Sequence, residues 1–329
     1  MGMVERQHLR PVGDSGGVTP GYDVVVVGAS IAGCTAATLY GRSGLRVALL
    51  ERASDPAHFK SLCTHIIQPS AEPVIRRLGL DEPIAAAGGI RPPGGLWTRW
   101  GWVTRSDAAT PAGEKLPDLT YSIRREKLDP MLRDMAAGTV GVDLLMGHTV
   151  VEVLKDGGRV TGVVARTEEG ATVRFEAPLV VAADGRNSAV AELAGVGNWK
   201  LPNRRSGYWA YYKGVDLGPE PEARLWFMEP DIGYAFPTDD DLTILVCMFP
   251  RRKLEWFKQD LAGNLERLVG GLPDGPDLSH AERVTKVMGL VDLPNRWRRR
   301  PSPGLVFVGD AAVAADPLFG VGCGWAFQS

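Results

Sequence analysis

The chain has 329 residues, 44% hydrophobic and 23% charged, an ordinary globular balance with room for two domains or one large one. Its formal net charge of -2 lacks the basic excess of a nucleic-acid-binding surface. No apolar run reaches bilayer-crossing length, and no membrane span is expected.

Residues 1–21 are polar, carry Gly, Pro and charges, and have no signal-peptide core, so they read as a flexible N-terminal tail. Asp23-Val24-Val25-Val26-Val27 then reads as a buried parallel strand. It runs into Gly28-Ala29-Ser30-Ile31-Ala32-Gly33 and a helical pattern, and a second strand, Arg46–Leu50, ends in Glu51. This is a dinucleotide grip. Gly28 permits the tight turn, Gly33 lets helix and strand pack closely, and the helix N-terminus offers N–H groups to a pyrophosphate. Glu51 is placed to accept hydrogen bonds from an adenosine ribose. The middle glycine of the usual pattern is Ser30, whose hydroxyl is expected to face the pyrophosphate in its place.

Helices are expected over Glu72–Leu78 and Ile84–Ala87, and the stretch Leu96–Arg105, with Trp97, Trp100 and Trp102, reads as a strand. Tyr121–Arg125 reads as a short strand followed by a helix over Lys127–Ala137. A hairpin over Thr149–Leu154 and Val160–Arg166 turns at Asp156-Gly157-Gly158, and Thr172–Glu176 adds a third strand. Leu179–Ala183 is a second buried apolar strand, ending in Asp184-Gly185.

From about Trp199 aromatic residues are dense, and Ser206–Val215, Arg224–Glu229, Gly233–Pro237 and Leu242–Phe249 alternate or are rich in strand formers. They predict an antiparallel sheet distinct from the first unit. A helix follows over Leu254–Leu268, then a strand over Lys286–Leu290. The basic clusters Arg251-Arg252-Lys253 and Arg298-Arg299-Arg300 read as solvated faces beside turns. A third apolar strand, Leu305–Val308, ends in Gly309-Asp310. Three apolar strands thus end in Gly/Asp turns, and ligands of open parallel sheets bind at such carboxyl ends. One ligand is expected to gather the three turns into one site.

The four cysteines, Cys34, Cys63, Cys247 and Cys323, are far apart and form no CxxC pair. Neither a disulfide framework nor a metal site is indicated, and a reducing cytoplasm fits.

These motifs together resemble the FAD-dependent monooxygenase superfamily of the para-hydroxybenzoate hydroxylase type, to which geranylgeranyl reductases and flavin-dependent halogenases are related. The resemblance covers residues 22 to 324. It implies an α/β fold, a Rossmann-like FAD-binding domain of the glutathione-reductase type with an antiparallel β-sheet substrate domain. The first domain would comprise 22–90, 112–198 and 296–329, the second 91–111 and 199–295. It implies FAD as cofactor, held by Gly28, Ala29, Ser30, Ile31, Ala32, Gly33, Glu51 and Arg52 at the ADP part. Arg125, in the pattern Arg-x-x-Leu-Asp, Val150 near the adenine, and Asp184 with Gly185 would add contacts. Gly309 and Asp310 would hold the ribityl chain, and Pro317, Gly320, Val321 and Gly322 would lie against the isoalloxazine ring. NADPH or NADH would be the electron donor and molecular oxygen the co-substrate. A flavin C4a-hydroperoxide would hydroxylate or epoxidise a small aromatic or polyketide-like substrate, with a reductase of the geranylgeranyl type or a flavin-binding protein without turnover as alternatives. Tyr208, Tyr211, Tyr234 and Phe236 are the candidate substrate contacts. Halogenases carry a Trp-x-Trp-x-Ile-Pro motif between the second and third turns and a catalytic lysine. Here Trp100-Gly101-Trp102 precedes Asp184 and lacks the Ile-Pro, and Gly233–Pro237 does not match. Family members usually continue with further helices beyond the residues where this sequence stops, so weaker stability and flavin retention than in a longer relative are expected.

Overall fold

The computed structural model describes residues 21–104, 119–219, 222–298 and 302–329. The expected tail except Gly21, Arg299-Arg300 of the second basic cluster, and residues 105–118 at the boundary drawn between the two expected domains lie outside the described residues. No helix among the described residues is long and apolar enough to cross a membrane.

The first sheet has five parallel strands: β1 (Val24–Val27), β2 (Val47–Leu50), β3 (Val142–Leu145), β4 (Leu179–Ala182) and β5 (Leu305–Phe307), in the order β5-β4-β1-β2-β3. The four consecutive valines of β1 are all buried because both faces of the sheet are covered. Val24 and Val26 join a core with helix α1 (Ile31–Arg42) and helix α2 (Arg125–Ala137). Val25 and Val27 join a core with Val150, Val163 and Phe175, from an antiparallel sheet of Thr149–Asp156, Arg159–Arg166 and Thr172–Glu176. Each such side chain contributes roughly 1.5–3 kcal/mol through burial. The mixed α/β fold is the expected one.

The second, eight-stranded sheet runs Glu282–Arg283, Arg205–Lys213, Thr243–Pro250, Asp231–Pro237, Ala223–Met228, Gly94–Thr98 and Gly101–Thr104, with Met288–Leu290 also paired to Arg205–Lys213. It is antiparallel except at one joint, where Ala223–Met228 pairs parallel with Gly94–Thr98. Its two faces differ. Tyr208, Ala210 and Tyr212 pack under the helices Leu254–Lys258 and Leu261–Gly270, against Phe257, Leu265 and Val269. Trp209, Tyr211, Tyr234 and Phe236 share the opposite face with Ile66 and Leu318, which belong to the first unit's loops.

Several expected elements are corrected. The single strand over Leu96–Arg105 is two strands, turning at Arg99-Trp100 into Gly101, which has φ +99°. The helix over Leu254–Leu268 breaks at Gln259-Asp260, where the Asp260 Oδ1 accepts the Gly263 N–H at 2.9 Å and starts a new helix. The edge strand β3 was not expected at all, since Val-Asp-Leu-Leu is short and its Asp143 accepts the Tyr22 hydroxyl at 2.9 Å.

Candidate functional site

The parallel register of the first sheet brings the carboxyl ends of β1, β4 and β5 side by side. The three turns also touch. Gly28 has φ +103°, and a Cβ there would sit 2.7 Å from the Ala183 carbonyl oxygen of the second turn. A Cβ on Gly33 would sit 1.7 Å from the Gly28 oxygen, so α1 approaches β1 more closely than any side chain allows. A Cβ on Gly309, at φ +56°, would come within 2.9 Å of the Ala32 methyl, which joins the third turn to the first. The expected gathering of three turns is the observed geometry.

Ser30 takes the N-cap position of α1 in extended conformation, but its side chain does not cap the helix. The first-turn N–H groups of α1 therefore gain no side-chain acceptor from it. The Ser30 Oγ accepts instead from Arg125 Nη2 at 2.6 Å. Arg125 is 2% exposed, and its Nε donates to Asp129 Oδ1 at 2.7 Å, one helical turn along. Its backbone N–H donates to His65 Nδ1 at 3.1 Å, and its Nη1 reaches the Cys63 sulfur at 3.6 Å. The Arg-x-x-Leu-Asp pattern thus places a buried ion pair behind the first turn.

Glu51, at the tip of β2, accepts the Ala29 N–H at 2.8 Å on Oε2 and the Ala53 N–H at 3.0 Å on Oε1. Two bonds leave about two of its roughly four acceptor positions open. Arg52 is exposed just beyond it. Val150 is buried in its strand against the far face of the parallel sheet.

In the second turn the Asp184 Oδ2 accepts the Val190 N–H at 3.0 Å, while Oδ1 is buried and has no partner. Gly185 follows with φ +81°. In the third turn, Asp310 forms a salt bridge with Lys60 at 3.1 Å, and the Lys60 N–H donates to Asp129 Oδ2 at 3.0 Å. Lys60 so ties the loop after β2 both to the third turn and to the buried ion pair.

The segment Pro317–Phe319 forms one 3-10 turn and ends at Gly320, with φ +61°, where a Cβ would meet Ile66 at 2.8 Å. Gln68 Nε2 donates to the Phe319 carbonyl at 2.7 Å. The Tyr234 hydroxyl donates to the carbonyls of Leu318 and Pro317, so this side chain holds the loop from the second sheet. Burial pushes its pKa up, and it stays a neutral donor. Val321 and Gly322 lead into the C-terminal helix Gly322–Gln328.

The four candidate substrate contacts separate. Tyr211, Tyr234 and Phe236 share the face behind the Pro317–Gly322 loop, with the Tyr211 ring 5.4 Å from His65. Tyr208 lies on the other face, stacked on Phe249 and tilted against Phe257. Trp209, not among the expected contacts, is 4% exposed on the inner face, and its indole N–H is buried without a partner. Lys60, His65 and Gln68 also escaped the sequence reading: none lies in a motif, and His65 owes its place to a backbone at φ +61°. Trp100 is 79% exposed at a hairpin tip, and Trp102 packs edge-on against Trp226 on the outer side of the second sheet.

A family model described as FAD binding domain matches residues 21–328. The chain is 25% identical over 325 residues to the 1H-pyrrole-2-carbonyl-[peptidyl-carrier protein] brominase of Pseudoalteromonas luteoviolacea, covering 93% of this chain and 75% of that protein. It is 26% identical to the digeranylgeranylglycerophospholipid reductase of Picrophilus torridus, covering 92% and 74%. The crystal structure of Pseudomonas aeruginosa pqsL, described as "a probable FAD-dependent monooxygenase", superposes with a TM-score of 0.71 at 19% identity, covering 94% of this chain and 84% of that one.

Proposed function

This chain belongs to the FAD binding domain family and is an FAD-dependent oxidoreductase; on that premise we propose that it is an NAD(P)H-dependent monooxygenase acting on a small aromatic or polyketide-like substrate. The observation that supports the reading is the junction of the three-turn cradle with the aromatic inner face of the second sheet, through the Pro317–Gly322 loop.

The residues fit the cofactor. Gly28 and Gly33 exclude any Cβ and Gly309 crowds one, which keeps backbone rather than side chains at the place a pyrophosphate would approach. The buried Asp184 Oδ1 without a partner is an acceptor awaiting a hydroxyl or N–H. In this reading the first turn of α1, from Ile31 to Gly33, and Ala29 and Ser30 before it hold the pyrophosphate, while Glu51 takes ribose hydroxyls on its open lone pairs. Arg52 would flank the adenosine and Val150 the adenine. Arg125 would supply positive charge behind Ser30, and Asp184, Gly185 and Asp310 would serve the ribityl side. Pro317, Gly320, Val321 and Gly322 would line the ring. Bound FAD would supply two-electron transfer from the nicotinamide donor and activation of molecular oxygen.

The chain's own part is placement and shielding. Trp209, Tyr211 and Phe236 form an apolar wall that excludes water. Tyr234 fixes the loop that carries Gly320, and the Trp209 N–H is a donor left over for an oxygen-bearing substrate. The similar brominase raises a halogenase reading, but the only Trp-x-Trp of the chain sits on a hairpin facing away from this junction.

The test is turnover of FAD-reconstituted protein with NADPH or NADH in air, with bromide present, over a panel of phenols and naphthols. A product that gains one oxygen is the expected result. A product that gains two hydrogens replaces the reading with a reductase, and a brominated product replaces it with a halogenase.

A further inference from the structure

Cys63 and Cys323 are separated by 260 positions, yet their sulfurs lie 3.4 Å apart. Both are free thiols. Cys63 is partly accessible in the loop just past Lys60, and Cys323 is buried at the start of the C-terminal helix, immediately after the Gly320–Gly322 loop. The Cys63 sulfur also accepts the His65 N–H at 3.4 Å and faces Arg125 Nη1 at 3.6 Å. The other two cysteines, Cys34 and Cys247, lie in separate cores at 0% and 2% exposure.

We propose that Cys63 and Cys323 are a redox-sensitive pair, closed to a disulfide by hydrogen peroxide and reopened by a dithiol, which fastens the loop after β2 to the C-terminal helix. A disulfide sets its sulfurs about 2.05 Å apart, so closure from 3.4 Å is a short approach of groups already in contact. The chemistry divides the roles. The hydrogen bond from the Cys323 thiol, then His65 and the Arg125 guanidinium, pull the Cys63 thiol well below the ordinary range against the effect of burial. The same hydrogen bond and burial push Cys323 up. Cys63 is therefore the attacking thiolate and Cys323 the resolving thiol. The Cys63 sulfur attacks one peroxide oxygen, the O–O bond breaks, and the departing hydroxide takes a proton to leave as water. The Cys323 sulfur then attacks the Cys63 sulfenic acid. The S–O bond breaks, the S–S bond forms, and hydroxide leaves with the Cys323 proton as a second water. Two thiols lose two electrons to one peroxide. Burial pushes the Cys34 and Cys247 thiols up, and both are expected to stay unreacted.

The test treats the whole chain with stoichiometric hydrogen peroxide, quenches, and alkylates under denaturing conditions. The native chain is expected to lose two of its four alkylatable thiols and about 2 Da, for two hydrogens, with a Cys63–Cys323 peptide found by mapping and lost after dithiothreitol. C323S is expected to stop at a singly oxygenated Cys63 that a sulfenic-acid reagent traps, and C63S to keep its thiols. Four thiols surviving in the native chain, or a linkage that involves Cys34 or Cys247, overturns the proposal. Because the peroxide is added and the native chain alone decides the result, the outcome depends neither on flavin turnover nor on the folding of a variant.

Discussion

Gly33 is the most tightly confined glycine among the described residues, since a methyl at that position would overlap the Gly28 carbonyl oxygen at 1.7 Å. The Gly28 carbonyl and the Ala183 methyl at 3.2 Å are its neighbours, and neither is the end of a flexible side chain that could move aside. Overpacking of a core typically costs 1–3 kcal/mol, and this contact belongs above that range. Gly33→Ala is expected to lose about 3 kcal/mol or more, read as a lowered midpoint in urea unfolding. Trp209 makes the opposite case, a residue whose unmet need is in its side chain. If its free indole N–H binds substrate oxygen, W209F loses one hydrogen bond of about 1 kcal/mol, which is a roughly fivefold rise in KM with kcat nearly unchanged. An unchanged KM would assign Trp209 to the wall alone. Ser30 is the residue the structure most reinterprets. Its hydroxyl oxygen is held by Arg125, so in the proposed complex that guanidinium stands directly behind the turn a diphosphate would approach.

Elements meet through a few charged contacts, and Asp239 makes two of the buried ones. The turn before Thr243–Pro250 sends this fully buried carboxylate to Arg124 and Lys127 at the start of α2, each at 2.8 Å. Burial alone would raise its pKa, but the hydrogen bonds from Arg124 and Lys127 outweigh that and hold it down to about 2, against 3.8 for an ordinary aspartate. The folded pKa lies below the unfolded one. The group therefore contributes its full share, about 2 kcal/mol, above pH 3.8, and the contribution fades as pH falls toward 2. Melting temperatures measured down through this window are expected to fall more steeply for the native chain than for D239N, which should already be less stable at neutral pH. At the break between the two outer helices, D260A removes the cap on Gly263 and is expected to cost about 1 kcal/mol by thermal melting. That break shows what the sequence left illegible. Leu254 to Leu268 keeps an apolar stripe across the interruption, and only the Asp260 side chain, bonded to backbone three residues on, divides it. The three strand-end turns were legible because each signal is local: a run of apolar residues buried on both faces, then a glycine. Strand β3 was not, because four residues with an aspartate carry no period. The parallel joint at Gly94–Thr98 and the Cys63–Cys323 contact depend on residues more than a hundred positions apart, which no local pattern encodes.

At the scale of the whole molecule, two sheets meet at a loop. The first offers a glycine-lined edge; the second offers an aromatic face whose Tyr234 grips Pro317–Leu318. In the candidate site the sequence identified the cradle but not its supports, Lys60, His65 and Gln68, which act across elements. It also treated Tyr208 and Tyr211 as equivalent, although strand alternation puts them on opposite faces. The three-turn edge is the FAD site we propose for this family member. Its most direct measurement is FAD titration of the native chain and of G309A, followed by visible absorbance and flavin fluorescence, with circular dichroism to confirm folding. Gly309 suits this because its Cβ, at φ +56°, would press on the Ala32 methyl at 2.9 Å and otherwise make ordinary contact with Ala326 at 3.8 Å. The native chain is predicted to bind one FAD per molecule, and folded G309A to bind it at least tenfold more weakly. Absence of FAD binding by the native chain, or equal binding by a folded G309A, would contradict the account.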